Sequence, residues 1–323
     1  MTPPITASDR AELIAECRRL MAWHARSFDR AARLLPPATR DRVAVLYAFC
    51  RIVDDSVDEA PTPAAARAAI EALEAEVRAA SGRAAEPRAT PRAVVEAFAA
   101  VLGPEPLAID AALELIHGVA SDTERVRLAD DRALLRYCYQ VAGAVGLMMC
   151  PVLGVTDRRA LPHAIDLGIG MQLTNICRDV AEDASRDRVY LPTSRLRAHG
   201  VDPEALPSGG APRLAVARVT GELLALADRY YASADAGMRY IPLAPRQAIL
   251  AASRLYRAIG LKLRRRGCDP LAGRTVVGPA EKAAWLLRAL VDSLRPRHHG
   301  LGRGTAHDAS LHLHLDGLPG VAA

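Results

Sequence analysis

Between Gly168 and Pro192 the chain reads GIGMQLTNICRDVAEDASRDRVYLP. Ile169, Met171, Leu173, Ile176 and Val180 recur at the spacing of one helix side, while Gln172, Asn175, Asp179 and Asp183 step by three, four and four residues along another. A helix that sets four polar groups in line beside an apolar side borders a core. Carboxylates one turn apart cost an isolated helix about 0.2–0.5 kcal/mol, so either a partner offsets the repulsion or the cost is tolerated.

The same period runs outward in both directions. From Ala7 to about Leu35 the apolar positions Leu13, Ile14, Cys17, Leu20, Met21 and Phe28 predict a helix that ends at Pro36-Pro37. Further helices are predicted at about 39–59, 64–80, 92–102, 105–122, 131–150, 157–184, 212–239, 243–266 and 279–294. Ser81–Arg92 and Pro203–Pro212 read as loops by their Gly, Pro and Ser content. No repeat or compositional boundary divides these helices, so one all-α domain over residues 1–295 is the economical reading. Beyond it lie five of the nine histidines (His298, His299, His307, His312 and His314) among Gly and Ser, which reads as an unstructured tail over 296–323, with adventitious metal binding as the other reading.

Composition agrees. The 323 residues are 50% hydrophobic, which excludes a disordered chain, and only 4% aromatic, which argues against a sandwich or barrel. The net charge of +5 comes from 42 basic and 37 acidic residues interleaved along the chain. That balance suits an anionic substrate or lipid surface and gives no block for nucleic acid, which is not expected as a partner. Six cysteines at least twelve residues apart form no C-x-x-C pattern and read as small core residues in a reducing cytosol. The N-terminus offers no signal peptide, so export is not expected. The uncharged stretch Tyr137–Thr156 is long enough to be weighed as a membrane span, but Gln140, three glycines and Pro151 make it a core helix instead.

A second polar stripe lies in YAFCRIVDDSVDE, Tyr47–Glu59, where Tyr47, Arg51, Asp54 and Asp58 step by four, three and four. Either stripe alone reads as a solvated helix face. Together they offer paired carboxylates and the Asn175 amide oxygen, the hard oxygen donors that Mg²⁺ takes, with substrate phosphates completing its shell. Arg51 and Arg178 lie within a turn of these acids. They either pair along their own helices, with Asp55 and Glu182, or turn their guanidinium forks to phosphate oxygens.

With these residues in view, the chain is similar to the squalene and phytoene synthase family, the head-to-head isoprenyl diphosphate synthases. The resemblance runs from about Ala22 to Arg295. It rests on His24–Phe28, Leu34–Pro36, Leu46–Arg51 leading into Asp54–Asp58, Tyr137–Gly146, and Gln172–Pro192 ending in Arg188-Val189-Tyr190-Leu191-Pro192, with a weaker match at Tyr256, Arg274 and Lys282.

The resemblance implies an isoprenoid synthase fold, helices around a central apolar cavity whose mouth carries both acidic motifs. It implies Asp54, Asp58, Asn175, Asp179 and Asp183 as holders of Mg²⁺, with Mn²⁺ as the other candidate. Ser27, Tyr47, Arg51, Arg178, Tyr256, Arg274 and Lys282 would meet diphosphate, and Tyr47, Arg51, Tyr137 and Arg178 would be the catalytic set, with Tyr137 on the cavity wall. Phe28, Val141, Gly143, Val145, Gly146 and Gln172 would line the prenyl-chain cavity, the two glycines also serving tight helix packing.

The implied reaction joins two allylic diphosphates through a cyclopropyl diphosphate. Local wording resembles bacterial phytoene synthases, which points to two geranylgeranyl diphosphates and phytoene, without NADPH. The alternatives are a farnesyl diphosphate-using squalene, dehydrosqualene or presqualene diphosphate synthase, a head-to-tail prenyl diphosphate synthase, and a catalytically dead scaffold. The substrate tails and a C40 product are nearly insoluble in water, so a cytoplasmic enzyme attached peripherally to the inner face of the membrane is expected, of unread oligomeric state.

Overall fold

A computed structural model describes residues 7–83, 92–103, 105–293 and 306–321. Thirteen α-helices make up most of what is described. In chain order they are Ala7–His24 (α1), Arg26–Ala32 (α2), Pro37–Asp58 (α3), Pro63–Ala80 (α4), Ala93–Leu102 (α5), Pro106–Ala120 (α6), Asp131–Cys138 (α7), Ala144–Val152 (α8), Ala160–Ser185 (α9), Thr193–Ala198 (α10), Arg213–Gly237 (α11), Leu243–Arg265 (α12) and Pro279–Ser293 (α13). Several starts are set by local chemistry. Proline occupies the first turn of α3, α4 and α6, where its missing N–H costs nothing, and the side chains of Thr62 and Asp130 cap α4 and α7 by accepting from the Ala65 and Ala133 amides at 3.1 and 2.9 Å.

Helix α9 is the spine. It packs against α11, α12 and α8, and its apolar side (Ile169, Leu173, Ile176, Val180) is buried, as the period predicts. Helices α3 and α5 are joined by Phe49 stacked on Phe98, ring centres 3.7 Å apart. A two-residue parallel bridge pairs Val126–Arg127 with Arg188–Val189, fixing the segment after α6 to the segment after α9.

Two predicted helices are each broken. The first bends at Ala25, whose backbone (φ −121°, ψ 52°) leaves the helical region between α1 and α2. The uncharged helix at 131–150 is α7, a π turn at Tyr139–Gly143, and α8. Asp131–Val152 is long and apolar enough to cross a membrane, but most of it is buried inside the bundle. The cause of the π turn is close approach to α9. A Cβ on Gly146 would run into the Ala164 carbonyl, and one on Gly168 into the Ala142 carbonyl, so the two backbones touch where side chains would otherwise hold them apart.

The expectation of an unstructured tail is corrected for residues 306–321, which form a strap along the bundle. Leu311, Leu315 and Leu318 are buried, while Leu313 faces outward. Buried hydroxyls demand acceptors, and the strap supplies them: Tyr139 donates to the Pro319 carbonyl at 2.5 Å and Tyr230 to the Leu311 carbonyl at 2.7 Å. His298 and His299, and most of the loop at Ser81–Arg92, lie outside the described residues. All six cysteines are unpaired thiols, four of them buried.

Candidate active site

The stripe on α3 and the stripe on α9 border one cavity. Tyr47 of α3, Gln172 and Asn175 of α9, and Tyr256 of α12 all line a hollow of about 330 Å³. Its wall runs along α9 from Asn175 down to Ala160, fifteen residues or about 22 Å of helix. Apart from these four residues and His163, the wall is apolar, built from residues such as Val43, Leu46, Val145, Met149, Leu167 and Met171.

At the mouth, charge is crowded. Burial, with Asp58 and Asp55 beside it, raises Asp54 to about 7 against the pull of Arg51. Burial, with Asp179 and Glu182, raises Asp183 to about 7. The Asp122 carboxylate adds to the field on both of these acids, so the two stripes share one electrostatic neighbourhood. Arg188, three residues past the end of α9, ties that segment to α3 and to the segment after α6, donating to the Asp58 carboxylate at 3.0 Å and to the Asp122 carbonyl at 3.3 Å. Burial pushes the Tyr47 hydroxyl up to about 12, so it remains a neutral donor.

The arginines are held by the acids. Arg51 pairs with Asp55, as intrahelical spacing allows. Arg178 pairs with its neighbour Asp179 rather than with Glu182, its Nε 2.7 Å from the carboxylate. Arg274, from the segment before α13, reaches Asp179 at 3.2 Å and Glu182 at 3.3 Å. Lys282 sits in the first turn of α13. The Asn175 amide nitrogen donates to Gln172 at 3.4 Å, and its buried Oδ1 has no hydrogen-bond partner. A buried carbonyl oxygen without a donor calls for a cation or a ligand.

Of the predicted chain-lining residues, Val141, Val145, Gly146 and Gln172 are on the wall. Gly143 is not: it faces α9, where a Cβ would lie 3.3 Å from the Ile165 side chain, so its smallness serves packing alone. Tyr137 is also off the wall. Its hydroxyl donates to Asp122 at 2.9 Å and its ring stacks on Tyr190, 4.8 Å between centres. The side chains of Ser27 and Phe28 lie outside the described residues.

Asp122 lies in a stretch, ASDTERVRLADD, that matches the family only loosely, and the sequence assigns it no place in the site. Tyr190 donates to it at 2.8 Å beside Tyr137, and these bonds and Arg188 oppose a burial that still leaves its carboxyl above the ordinary aspartate range. No spacing marks it. Its partners are fifteen and sixty-eight residues away, and the bridge between Val126–Arg127 and Arg188–Val189 helps to bring them together.

The geometry can be set beside known proteins. The sequence profile for squalene/phytoene synthase matches residues 21–281. The chain is 38% identical to the phytoene synthase of Pseudescherichia vulneris over 301 residues, 90% of this chain and 97% of that one. It is also 38% identical to the phytoene synthase of Rhodobacter capsulatus over 274 residues, 84% and 78% of the two chains. Among solved structures, a dehydrosqualene synthase in complex with ligand superposes with a TM-score of 0.76 at 26% identity, covering 88% of this chain and 97% of that one. The squalene synthase HpnC of Alicyclobacillus acidocaldarius shares the fold at 0.68 and 22% identity, covering 82% and 98%. The matched region takes in both stripes and the helices that wall the hollow between them, and on these grounds the chain belongs to the squalene/phytoene synthase family.

Proposed function

We propose that this protein condenses two molecules of geranylgeranyl diphosphate head to head, through a cyclopropyl diphosphate, to phytoene. The observation that carries the reading is that Tyr47 and Asn175, one from each polar stripe, line the same apolar hollow, in a chain whose relatives include several phytoene synthases. Each of the two stages releases one diphosphate and one proton, and neither needs a reductant.

The donor set fits Mg²⁺. Asp54, Asp58, Asp179 and Asp183 are hard carboxylates, Asn175 offers an unpartnered oxygen, and the burial and neighbouring acids that raise Asp54 and Asp183 are what a bound cation offsets. When bound, the ion supplies charge neutralisation for the leaving diphosphate. The chain's own groups do the rest. Arg51, Arg178 and Arg274, now paired with aspartates, hold guanidinium forks ready to exchange toward phosphate oxygens. Tyr47 and Tyr256 sit at the boundary between this polar mouth and the chain cavity, where neutral hydroxyls donate to phosphate without adding charge. The apolar wall keeps water from the allylic cation. Tyr137, Tyr190 and Arg188 act by holding Asp122 in place, so Tyr137 is a positioning residue here. A C40 hydrocarbon then leaves for a lipid surface.

The second reading, condensation of farnesyl diphosphate, is favoured by the likeness to a dehydrosqualene synthase structure. Incubation of purified protein with Mg²⁺ and either labelled diphosphate, with and without NADPH, separates the two. The expected outcome is a C40 hydrocarbon from geranylgeranyl diphosphate in equal yield with or without NADPH. A C30 product alone, or a product that needs NADPH, overturns the proposal.

The burial of Asp54 and Asp183 beside other carboxylates makes a thermal prediction. The two take up protons at about 7 in the fold and near 3.8, the ordinary aspartate value, when unfolded. Between those values the native state binds more protons than the unfolded one, so their contribution to stability falls as pH rises from 4 to 7. A divalent cation offsets the loss where the carboxylates are ionised. The rise in Tm on adding Mg²⁺ is therefore expected to be larger at pH 8 than at pH 5.5, measured by differential scanning fluorimetry. An equal rise at both would remove these two acids from the binding set.

A further inference from the structure

In the first half of α9, ahead of the acidic stripe in the chain, lies a second cluster. Asp166 is 0% exposed. His312 Nε2 meets its Oδ1 at 2.8 Å and His307 Nε2 meets its Oδ2 at 2.8 Å, so two imidazoles from the strap converge on one buried carboxylate from the spine helix. The three ligand atoms lie within 4.8 Å of one another. Among the described residues no arginine or lysine pairs with Asp166. A carboxylate buried this completely is costly to ionise, and with no arginine or lysine paired to it the offsetting positive charge must come from the imidazoles or from a bound cation.

We propose that Asp166, His307 and His312 form a binding site for a divalent transition-metal ion of the zinc class, which staples residues 306–321 to α9. Two imidazoles and a carboxylate are a borderline N₂O set that suits Zn²⁺ or Co²⁺ and not Mg²⁺, which takes oxygen. The histidines stand as H-x₄-H, inside the spacing that zinc sites use. The turn that brings both to the same carboxylate is set by Asp308, whose side chain accepts from the Ser310 amide at 3.0 Å. Outer partners are present as well. Ser233 donates its hydroxyl to Asp166 and accepts from His163 Nδ1 at 2.9 Å, which orients the carboxylate. His163 in turn lines the cavity, so the staple backs the wall of the substrate hollow. The inference does not depend on which prenyl diphosphate the enzyme uses.

The test uses the full chain without an affinity tag, stripped with chelator and held in excess Mg²⁺ to fill the oxygen sites. Titration with Co²⁺ should give one equivalent with the intense visible bands of a four-coordinate N/O site, displaced by one equivalent of Zn²⁺, and Zn²⁺ at about a hundred times its Kd should raise Tm by about 5 °C. The bands should vanish in His307→Gln and in His312→Gln and persist in the double variant His298→Gln/His299→Gln. The wild-type titration decides the matter even if a variant misfolds. Absence of four-coordinate bands there, their survival in His312→Gln, or their loss in the double variant would each overturn the site, the last by tracing the metal to adventitious histidines.

Discussion

Asp179→Asn is expected to lower turnover by at least about 10²–10³-fold, the scale of losing one preorganised charge contact to a developing anion, while helical content stays unchanged. Asp179 stands between two guanidiniums, Arg178 and Arg274, and one turn before Asp183, whose carboxyl it helps to raise. Replacing its charge weakens the cation site and releases both arginines from their present partner. The fold should survive, because the residue lies at the mouth and its removal relieves repulsion along α9. Asp54→Asn, on the facing helix, should behave alike. Turnover measured across a range of Mg²⁺ concentrations, with circular dichroism as the control, checks both. Near-wild-type turnover at limiting Mg²⁺ in either variant would refute the role of these carboxylates in holding the cation.

Gly168→Ala is expected to have the largest effect on stability. The added Cβ would lie 2.7 Å from the Gly143 nitrogen and closer still to the Ala142 carbonyl. These are backbone atoms of the π turn and cannot swing aside as a side-chain end would. Helix α9 would have to lift away from α7 and α8, prising open the cavity wall at Val141 and Val145 as well. Overpacking of this kind costs about 1–3 kcal/mol and occasionally more, which corresponds to a fall in Tm of roughly 2–5 °C for a chain of this size. Gly146→Ala, meeting the Ala164 carbonyl from the other side, should act similarly. A thermal melt of Gly168→Ala within about 1 °C of wild type would show that the crossing has slack.

The fold was legible where one physical rule dominates. Helices α3 and α9 fall within a few residues of their predicted limits because period, proline and loop composition agree there. The break at Ala25 was hidden, since the apolar spacing of Leu20, Met21 and Phe28 continues straight across it with no glycine or proline to mark it. The π turn at Tyr139–Gly143 was hidden for a different reason: nothing local demands the extra residue, and the demand comes from Gly168 on another helix. In the site, the two stripes were legible because i, i+4 spacing places carboxylates on one face whatever surrounds them. Asp122 was not, being a single acid whose meaning lies in distant tyrosines. His307 and His312 were mistaken for part of a loose end because Gly and His dominated the composition, while Leu311, Leu315 and Leu318 carried the true signal at spacings of four and three.

The strap has a consequence for biosynthesis. Residues 306–321 follow all thirteen helices in the chain, so among the described elements they emerge last from the ribosome. Until they arrive, the places of Leu311, Leu315 and Leu318 stand open and the hydroxyls of Tyr139 and Tyr230 lack their acceptors. The nascent bundle therefore carries an apolar seam of the kind chaperones recognise. Translation stopped at codon 305 should yield a helical but aggregating polypeptide, because the seam closes only when residues 306–321 are made.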